Sequence, residues 1–78
     1  MGYKELDTVV LNRDFPEQGL KRGDLGAVVQ VYSDDAIEVE FVTAAGRTQA
    51  LVTLTTGDVR SLSDEDLLSV RTLTRGAA

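Results

Sequence analysis

The sequence predicts an all-β protein, a small antiparallel barrel of about five strands with a long first loop and a short helical turn near the carboxyl end. Residues 26–32, 37–41 and 50–54 are rich in β-branched and aromatic side chains and follow one another across short turns, which is typical of a β-meander. With 78 residues, the chain has the length of one domain, residues 1–78, with its core expected over residues 5–72. It has neither Cys nor His, so no disulfide and no thiolate or imidazole metal site reinforces the core.

The first strand is predicted over residues 8–11, which are short, apolar and β-branched. Residues 12–24 are predicted to form the long loop, because its Pro and Gly residues are spaced too closely for regular structure. Phe15 at the tip of this loop either covers the mouth of the barrel or contacts another protein, and the covering role is favoured. Lys21 and Arg22 beside it either complement an acidic partner or form an ordinary solvated turn.

The second and third strands of the meander are predicted to pair across a four-residue loop, residues 43–46. This register places Phe41 opposite Thr48 and Val39 opposite Ala50. Glu38 and Glu40 then point to solvent. The inward set predicted to be buried is Ile37, Val39, Phe41, Ala50, Val52 and Leu54.

The first hairpin allows two registers, because its loop holds either two or three residues. The three-residue loop is preferred, and it places Val31 opposite Ile37 with Val29 also inward. Under this register Val28 lies on the outer face with Val42 and Leu51. Three aliphatic side chains on neighbouring strands predict an interaction patch.

The carboxyl end is predicted to begin with a last strand over residues 59–62. Ser63 followed by three acids is typical of a helix cap, so a helix of no more than about two turns is expected there. Its apolar side chains are predicted to fasten this end across the barrel: Leu67, Leu68, Val70 and Leu73. Residues 74–78 are expected to fray.

Charge disfavours nucleic acid as a partner. The chain carries 13 acidic and 8 basic residues, a net charge of −5, and Lys21–Arg22 is its only pair of adjacent basic residues. Binding to phosphates requires a segregated basic surface. No apolar run approaches membrane-spanning length, and the amino terminus lacks a signal-peptide pattern, so a cytoplasmic protein without a membrane partner is expected.

No arrangement of residues predicts catalysis, a cofactor or a metal site. The chain has no nucleophile or phosphate-loop spacing, so an enzyme is not expected. Glu38 and Glu40 share a strand face and are interpreted as a solvated face rather than an acid/base pair. The acid runs at residues 34–35 and 64–66 do not have the spacing of a calcium loop, and turn and cap roles are favoured.

Several segments resemble a family of short bacterial proteins known only as a numbered domain of unknown function. The resemblance covers roughly residues 5–72 and rests on residues 6–11, 20–29, 38–41 and 46–48. The run from Lys21 to Val29 is also similar to the first hairpin of SH3-like and KOW-type barrels. The resemblance implies an SH3-like fold more than an activity, because small barrels carry many functions.

These observations favour a non-catalytic protein-interaction module that binds an unidentified protein, or a second copy of itself, through its long loop, outer sheet face or a strand edge. An immunity or antitoxin-like protein that masks a basic site, and a small accessory subunit of a larger enzyme, are the alternatives. Nucleic-acid binding of the KOW type is disfavoured, because an aromatic platform and a basic groove are lacking. The candidate partner-binding residues are Phe15, Lys21, Arg22, Val28, Val42 and Leu51.

Overall fold

Five antiparallel strands form a single sheet in the computed structural model, which describes residues 2–73. The strands are β1 (Thr8–Leu11), β2 (Leu25–Ser33), β3 (Ala36–Val42), β4 (Thr48–Thr55) and β5 (Val59–Ser61). Their order in the sheet is β4-β3-β2-β1-β5, so the last strand pairs with the first and β4 and β5 are the edges. The predicted all-β class is confirmed, and the fold is that of a small barrel. No helix in the described residues is long and apolar enough to cross a membrane.

One cluster of apolar side chains forms the core, and every strand contributes to it. The predicted inward set is confirmed at Ile37, Val39, Phe41, Ala50 and Leu54, each at most 7% exposed. Val52, the sixth member, is half-buried against this cluster. The remaining buried members of the cluster are Val9, Leu11, Leu20, Val28 and Val59.

The β3–β4 hairpin has the predicted faces but a different register. Phe41 lies opposite Ala50 rather than Thr48, which pairs instead with Val42. Gln49 is therefore an extra residue in β4, a β-bulge. The loop, residues 43–47, is also one residue longer than predicted, because Val42 pairs with Thr48. The longer loop and the bulge together move the partners of Phe41 and of the residues before it by two positions. A shift of two keeps each side chain on its face, because strand side chains alternate with a period of two.

The first hairpin has the predicted pairing of Val31 with Ile37, although the loop that produces it is different. Ser33 pairs with Ala36, so the loop holds two residues rather than three. Tyr32 is the extra residue that brings Val31 opposite Ile37. A bulge and a two-residue loop together thus mimic the longer loop that the sequence favoured.

Val28 points into the core, and its predicted place on the outer face is wrong. It lies opposite Val39 and is completely buried. A second bulge between Val28 and Gln30 inserts one residue and reverses the alternation along β2. Val29 and Val31, predicted to point inward, are each 38% exposed. The pairing of β1 with β2 ends at residue 27, and backbone hydrogen bonds to residues 6 and 7 end at Val28. Among the described strands, β3 is the one that pairs with the rest of β2.

Gly26 allows β2 to lie close against β3 in the core. A Cβ atom at this position would lie 2.5 Å from Cγ1 of Val39 and 2.7 Å from Cε2 of Phe41. Carbon atoms in ordinary contact are about 3.5–4.0 Å apart. The core therefore has no room for any side chain at residue 26.

The long first loop, residues 12–24, folds onto the core. A 3₁₀ turn, Pro16–Gln18, ends at Gly19, whose φ of 71° is in the left-handed region that favours glycine. Phe15 and Leu20 flank this turn and exchange two backbone hydrogen bonds of 3.0 and 3.1 Å. Leu20 is buried as a result, which ties the tip of the loop to the barrel.

The predicted helix after Ser63 is absent from residues 2–73, whose helical elements are the 3₁₀ turns Pro16–Gln18 and Thr56–Asp58. Ser63 and Asp66 form a single turn instead, with the Asp66 N–H donating to the Ser63 carbonyl. So short a helix gains few hydrogen bonds against its cost of nucleation. The predicted packing of this end is also wrong, since its side chains are exposed: Leu67 by 93%, Leu68 by 70% and Val70 by 98%. Leu73 is half-buried, and residues 74–78 lie outside the described residues.

Candidate functional site

Two of the predicted partner-binding residues lie on the outer face of the sheet at its β4 edge. Val42 and Leu51 are each 55% exposed. Leu51 lies opposite Glu40, and opposed residues in an antiparallel pair share a face. We call β4 together with Val42 the edge surface. Val28 does not belong to it, because its side chain is in the core.

Strand β4 is an unusually bare edge. It is eight residues long, contains no charged residue and no proline, and is paired on one side with β3. Within residues 2–73, no strand pairs with its other side. In natural proteins, lysine, proline or short length usually prevents an edge strand from pairing with another chain. At its first end the edge is modified at Gln49, which forms a bulge and whose Nε2 donates to the Gln18 carbonyl of the long loop at 3.3 Å.

Hydroxyl groups engage the two carboxylates on the outer face. Thr53 Oγ1 donates to Glu38 Oε1 at 2.5 Å, and Tyr32 Oη donates to the same oxygen at 3.3 Å. Thr48 Oγ1 donates to Glu40 Oε2 at 2.6 Å. Desolvation and the nearby Glu38 carboxylate raise the pKa of Tyr32. Glu38 and Glu40 thus connect neighbouring strands across the outer face.

Phe15 covers the core and is itself covered. Its half-buried ring packs against the core cluster, and the Arg13 guanidinium lies 3.9 Å from the ring centre. Arg13 Nε is held there by Asp58 Oδ1 at 2.8 Å. Burial raises the pKa of Asp58, but hydrogen bonds from Arg13 and Thr55 outweigh it and leave this pKa below its ordinary value. Phe15 thus lies over the core with the Arg13 guanidinium on its ring, which is the position expected if the loop covers the mouth of the barrel.

Lys21 and Arg22 lie on an exposed turn of the long loop. Their backbone N–H groups donate to the carboxylates of Asp24 and Asp14, each at 2.8 Å. None of the ion pairs found in residues 2–73 uses the side chain of either residue. The turn therefore presents two cations to solvent, remote in sequence from the edge surface.

A second feature was not found from the sequence: the segment of residues 62–73, which we call the strap, is joined to the long loop. Arg71 Nε and Nη2 donate to the two carboxylate oxygens of Asp24 at 2.8 and 2.6 Å. Arg71 Nη2 also donates to the Gly19 carbonyl at 3.0 Å. Burial raises the pKa of Asp24, but hydrogen bonds from Arg71 and from the Lys21 N–H outweigh it and lower this pKa overall. No local pattern indicates this contact, because 47 residues separate its partners.

The strap is also tied at its beginning. The Arg60 guanidinium makes two hydrogen bonds of 2.9 Å to the carboxylate of Asp66. The Ser63 N–H donates to the same carboxylate at 2.7 Å. The bonds from Arg60, followed by that from Ser63, lower the pKa of Asp66 to about 2. Side-chain ion pairs thus hold the strap at both ends.

An open cavity of about 550 Å³ lies between the strap, the long loop and the β3–β4 hairpin. Its volume is within the range of small-molecule sites. Residues 69–73 of the strap form one wall. The facing wall is mixed: it contains apolar side chains, among them Leu20, Leu25, Phe41 and Val42, and polar ones, among them Asp24, Arg47 and Gln49. Across residues 2–73, no group of three or more acidic side chains is placed to hold a metal ion.

The sequence pattern of one family, described as Domain of unknown function (DUF4926), matches residues 5–61. The match includes all five strands and the long loop and ends at the last residue of β5, so the strap lies outside it. No curated protein and no solved structure gives a significant match. Of the resemblance inferred over residues 5–72, the part that concerns a domain of unknown function is thus confirmed over residues 5–61. Because the match covers more than half of the chain, this protein belongs to the DUF4926 family.

Proposed function

We propose that the protein is a non-catalytic interaction module that binds another protein through the edge surface. The observation that carries the proposal is the bare edge of β4, eight uncharged residues with exposed Leu51 on the strand and exposed Val42 beside it. An edge of this kind is a template for an added strand.

Binding would proceed by β-augmentation, in which an extended segment of the partner pairs with β4. In an antiparallel sheet, alternate backbone N–H and C=O groups of an edge strand point away from its neighbour, and these supply the hydrogen bonds. Leu51 and Val42 add apolar contact on the outer face, and contact at alternate side chains selects the partner. A second copy of this chain offers the same edge, so self-pairing is one form of the interaction.

Charge supports a protein partner over a nucleic acid. The net charge of −5 repels phosphates, and Lys21 and Arg22 are a single exposed pair rather than a basic groove. The sheet order, with β5 beside β1 and β4 at the far edge, supports the SH3-like assignment of the barrel. The absence of cysteine is compatible with a reducing compartment, and we propose the cytoplasm.

The test compares Leu51→Lys with Leu67→Lys. Both variants make the same chemical change at an exposed leucine, but Leu67 lies on the strap rather than on β4. Light scattering after size exclusion measures self-association, and affinity capture from extracts of the native host with mass spectrometry measures other partners. We expect Leu51→Lys to abolish the dimer or the captured complex and Leu67→Lys to leave it intact.

Two results would contradict the proposal. One is a complex that survives Leu51→Lys as well as it survives Leu67→Lys. The other is sub-micromolar binding of mixed oligonucleotides at physiological salt, measured by fluorescence anisotropy, because an acidic interaction module has no means of achieving it.

A further inference from the structure

The acceptors that hold Arg71 are positioned by the barrel and not by the strap. The Lys21 N–H donates to Asp24 Oδ2 at 2.8 Å, which orients the carboxylate. The Leu11 N–H donates to the Asp24 carbonyl at 2.9 Å, which ties this residue to β1. Gly19 ends the 3₁₀ turn of the same loop, and its N–H donates to the Pro16 carbonyl at 3.1 Å. The carboxylate and the carbonyl therefore form a ready site for a guanidinium group.

The strap segment that supplies Arg71 has few other attachments to the barrel. Residues 67–72 of the strap are all exposed. After Asp66, the hydrogen bonds found between the strap and the barrel in the described residues are the three made by Arg71. A segment with so few contacts and so little buried apolar surface opens at a small cost in free energy. Arg71 can thus be displaced by a competing group.

The cavity beside Asp24 and Gly19 provides space for the residues that come before and after a bound arginine. Strap residues on both sides of Arg71 border the cavity, opposite a wall in which the apolar Leu20, Leu25 and Phe41 stand beside polar side chains such as Arg47. An arginine in an extended peptide would place its neighbouring aliphatic side chains beside this wall. The negative net charge of the protein favours the approach of such a cationic segment.

We propose that Asp24 and the Gly19 carbonyl form a binding site for an arginine in an extended segment of a partner protein. Arg71 occupies the site in the free chain and is displaced on binding. Arginine is the ligand rather than lysine, because two parallel N–H donors match the two oxygens of Asp24 while a third bond reaches Gly19. This site goes beyond the proposed function, since Asp24 and Gly19 belong to the long loop rather than to β4.

The test uses the full chain and a labelled, capped peptide with the sequence of residues 67–73, whose binding is measured by fluorescence anisotropy. In the parent protein the strap competes at an effective concentration on the order of millimolar. We therefore expect Arg71→Ala to bind the peptide at least about tenfold more tightly than the parent. Replacing the arginine of the peptide by citrulline keeps its shape but removes its charge, and should weaken binding to Arg71→Ala by about tenfold or more.

Asp24→Asn in the Arg71→Ala background should weaken binding of the arginine peptide to the same extent. Circular dichroism checks that this double variant is folded. The citrulline peptide leaves the protein unchanged and keeps the test valid even if Asp24→Asn unfolds. Equal binding of the arginine and citrulline peptides, or equal affinity of the parent and Arg71→Ala, would overturn the proposal. Leu51→Lys should leave peptide binding unchanged, which distinguishes a failure here from a failure of the edge surface.

Discussion

Substituting Gly26 by alanine should destabilise the protein strongly, although it adds only one methyl group. The new Cβ would lie 2.5 Å from Cγ1 of Val39, 2.7 Å from Cε2 of Phe41 and 3.0 Å from its Cδ2. Each neighbour must move by about 1 Å to reach ordinary contact, and both are buried in the core. Overpacking of a well-filled core typically costs about 1–3 kcal/mol, and three short contacts place this site at the upper end.

The assay is thermal unfolding followed by circular dichroism, with urea unfolding as a second measure of stability. A loss of about 2–3 kcal/mol lowers the melting temperature of a domain of this size by roughly 10–20 °C. Gly57→Ala is the matched control, because its Cβ would meet nothing closer than Thr55 Oγ1 at 3.8 Å. The control should change stability by less than about 0.5 kcal/mol.

A double variant tests the cause of the loss. Val39→Ala alone opens a cavity, but in combination with Gly26→Ala it removes the atom that makes the shortest contact. We expect the double variant to be more stable, by at least about 1 kcal/mol, than the sum of the two single losses predicts. A Gly26→Ala protein that melts within two degrees of the parent, or strictly additive losses, would refute the argument from close approach.

Two further predictions concern the core and the strap. Phe41→Ala removes a ring that is 2% exposed and should lower the free energy of unfolding by about 3–5 kcal/mol, measured by urea unfolding; a melting temperature close to that of the parent would contradict its place in the core. The pKa of Asp66, about 2, lies below its ordinary value of 3.8, so its ion pair with Arg60 stabilises the fold above pH 3.8 and is lost as the pH falls through 2. Arg60→Gln should move this pKa back toward 3.8 in an NMR titration of the carboxyl carbon, and an unchanged pKa would rule out the pair as the cause.

The buried face of β3 and β4 could be predicted because it depends only on alternation. Each inward residue on β3 is apolar and its neighbours at 38 and 40 are acids, so one face alone can enter a core. The partners across the hairpin were wrong by two positions, since the loop is one residue longer than predicted and Gln49 adds a bulge, and no residue type in the loop indicates either change. An error of an even number of residues leaves the faces correct.

The candidate site was harder to predict, because most of it depends on contacts between distant parts of the chain. Leu51 and Val42 were correctly placed outside by alternation alone. Val28 was misplaced because an odd insertion in β2 reverses every side chain beyond it. The contact of Arg71 with Asp24 has no local signature, since a solvated arginine and a paired one have the same sequence context.

Local sequence was sufficient for the class of fold, the number of strands and the inward set of the meander, because propensity and alternation are properties of neighbouring residues. The identity of the bare edge strand could be known only from the order of strands in the sheet. That order follows from the pairing of β5 with β1, which is far away in the chain. The position of the bulges and the docking of the strap likewise depended on the assembled barrel. Pairing between remote segments is decided by the packing of the whole core, and no short stretch of sequence contains that information.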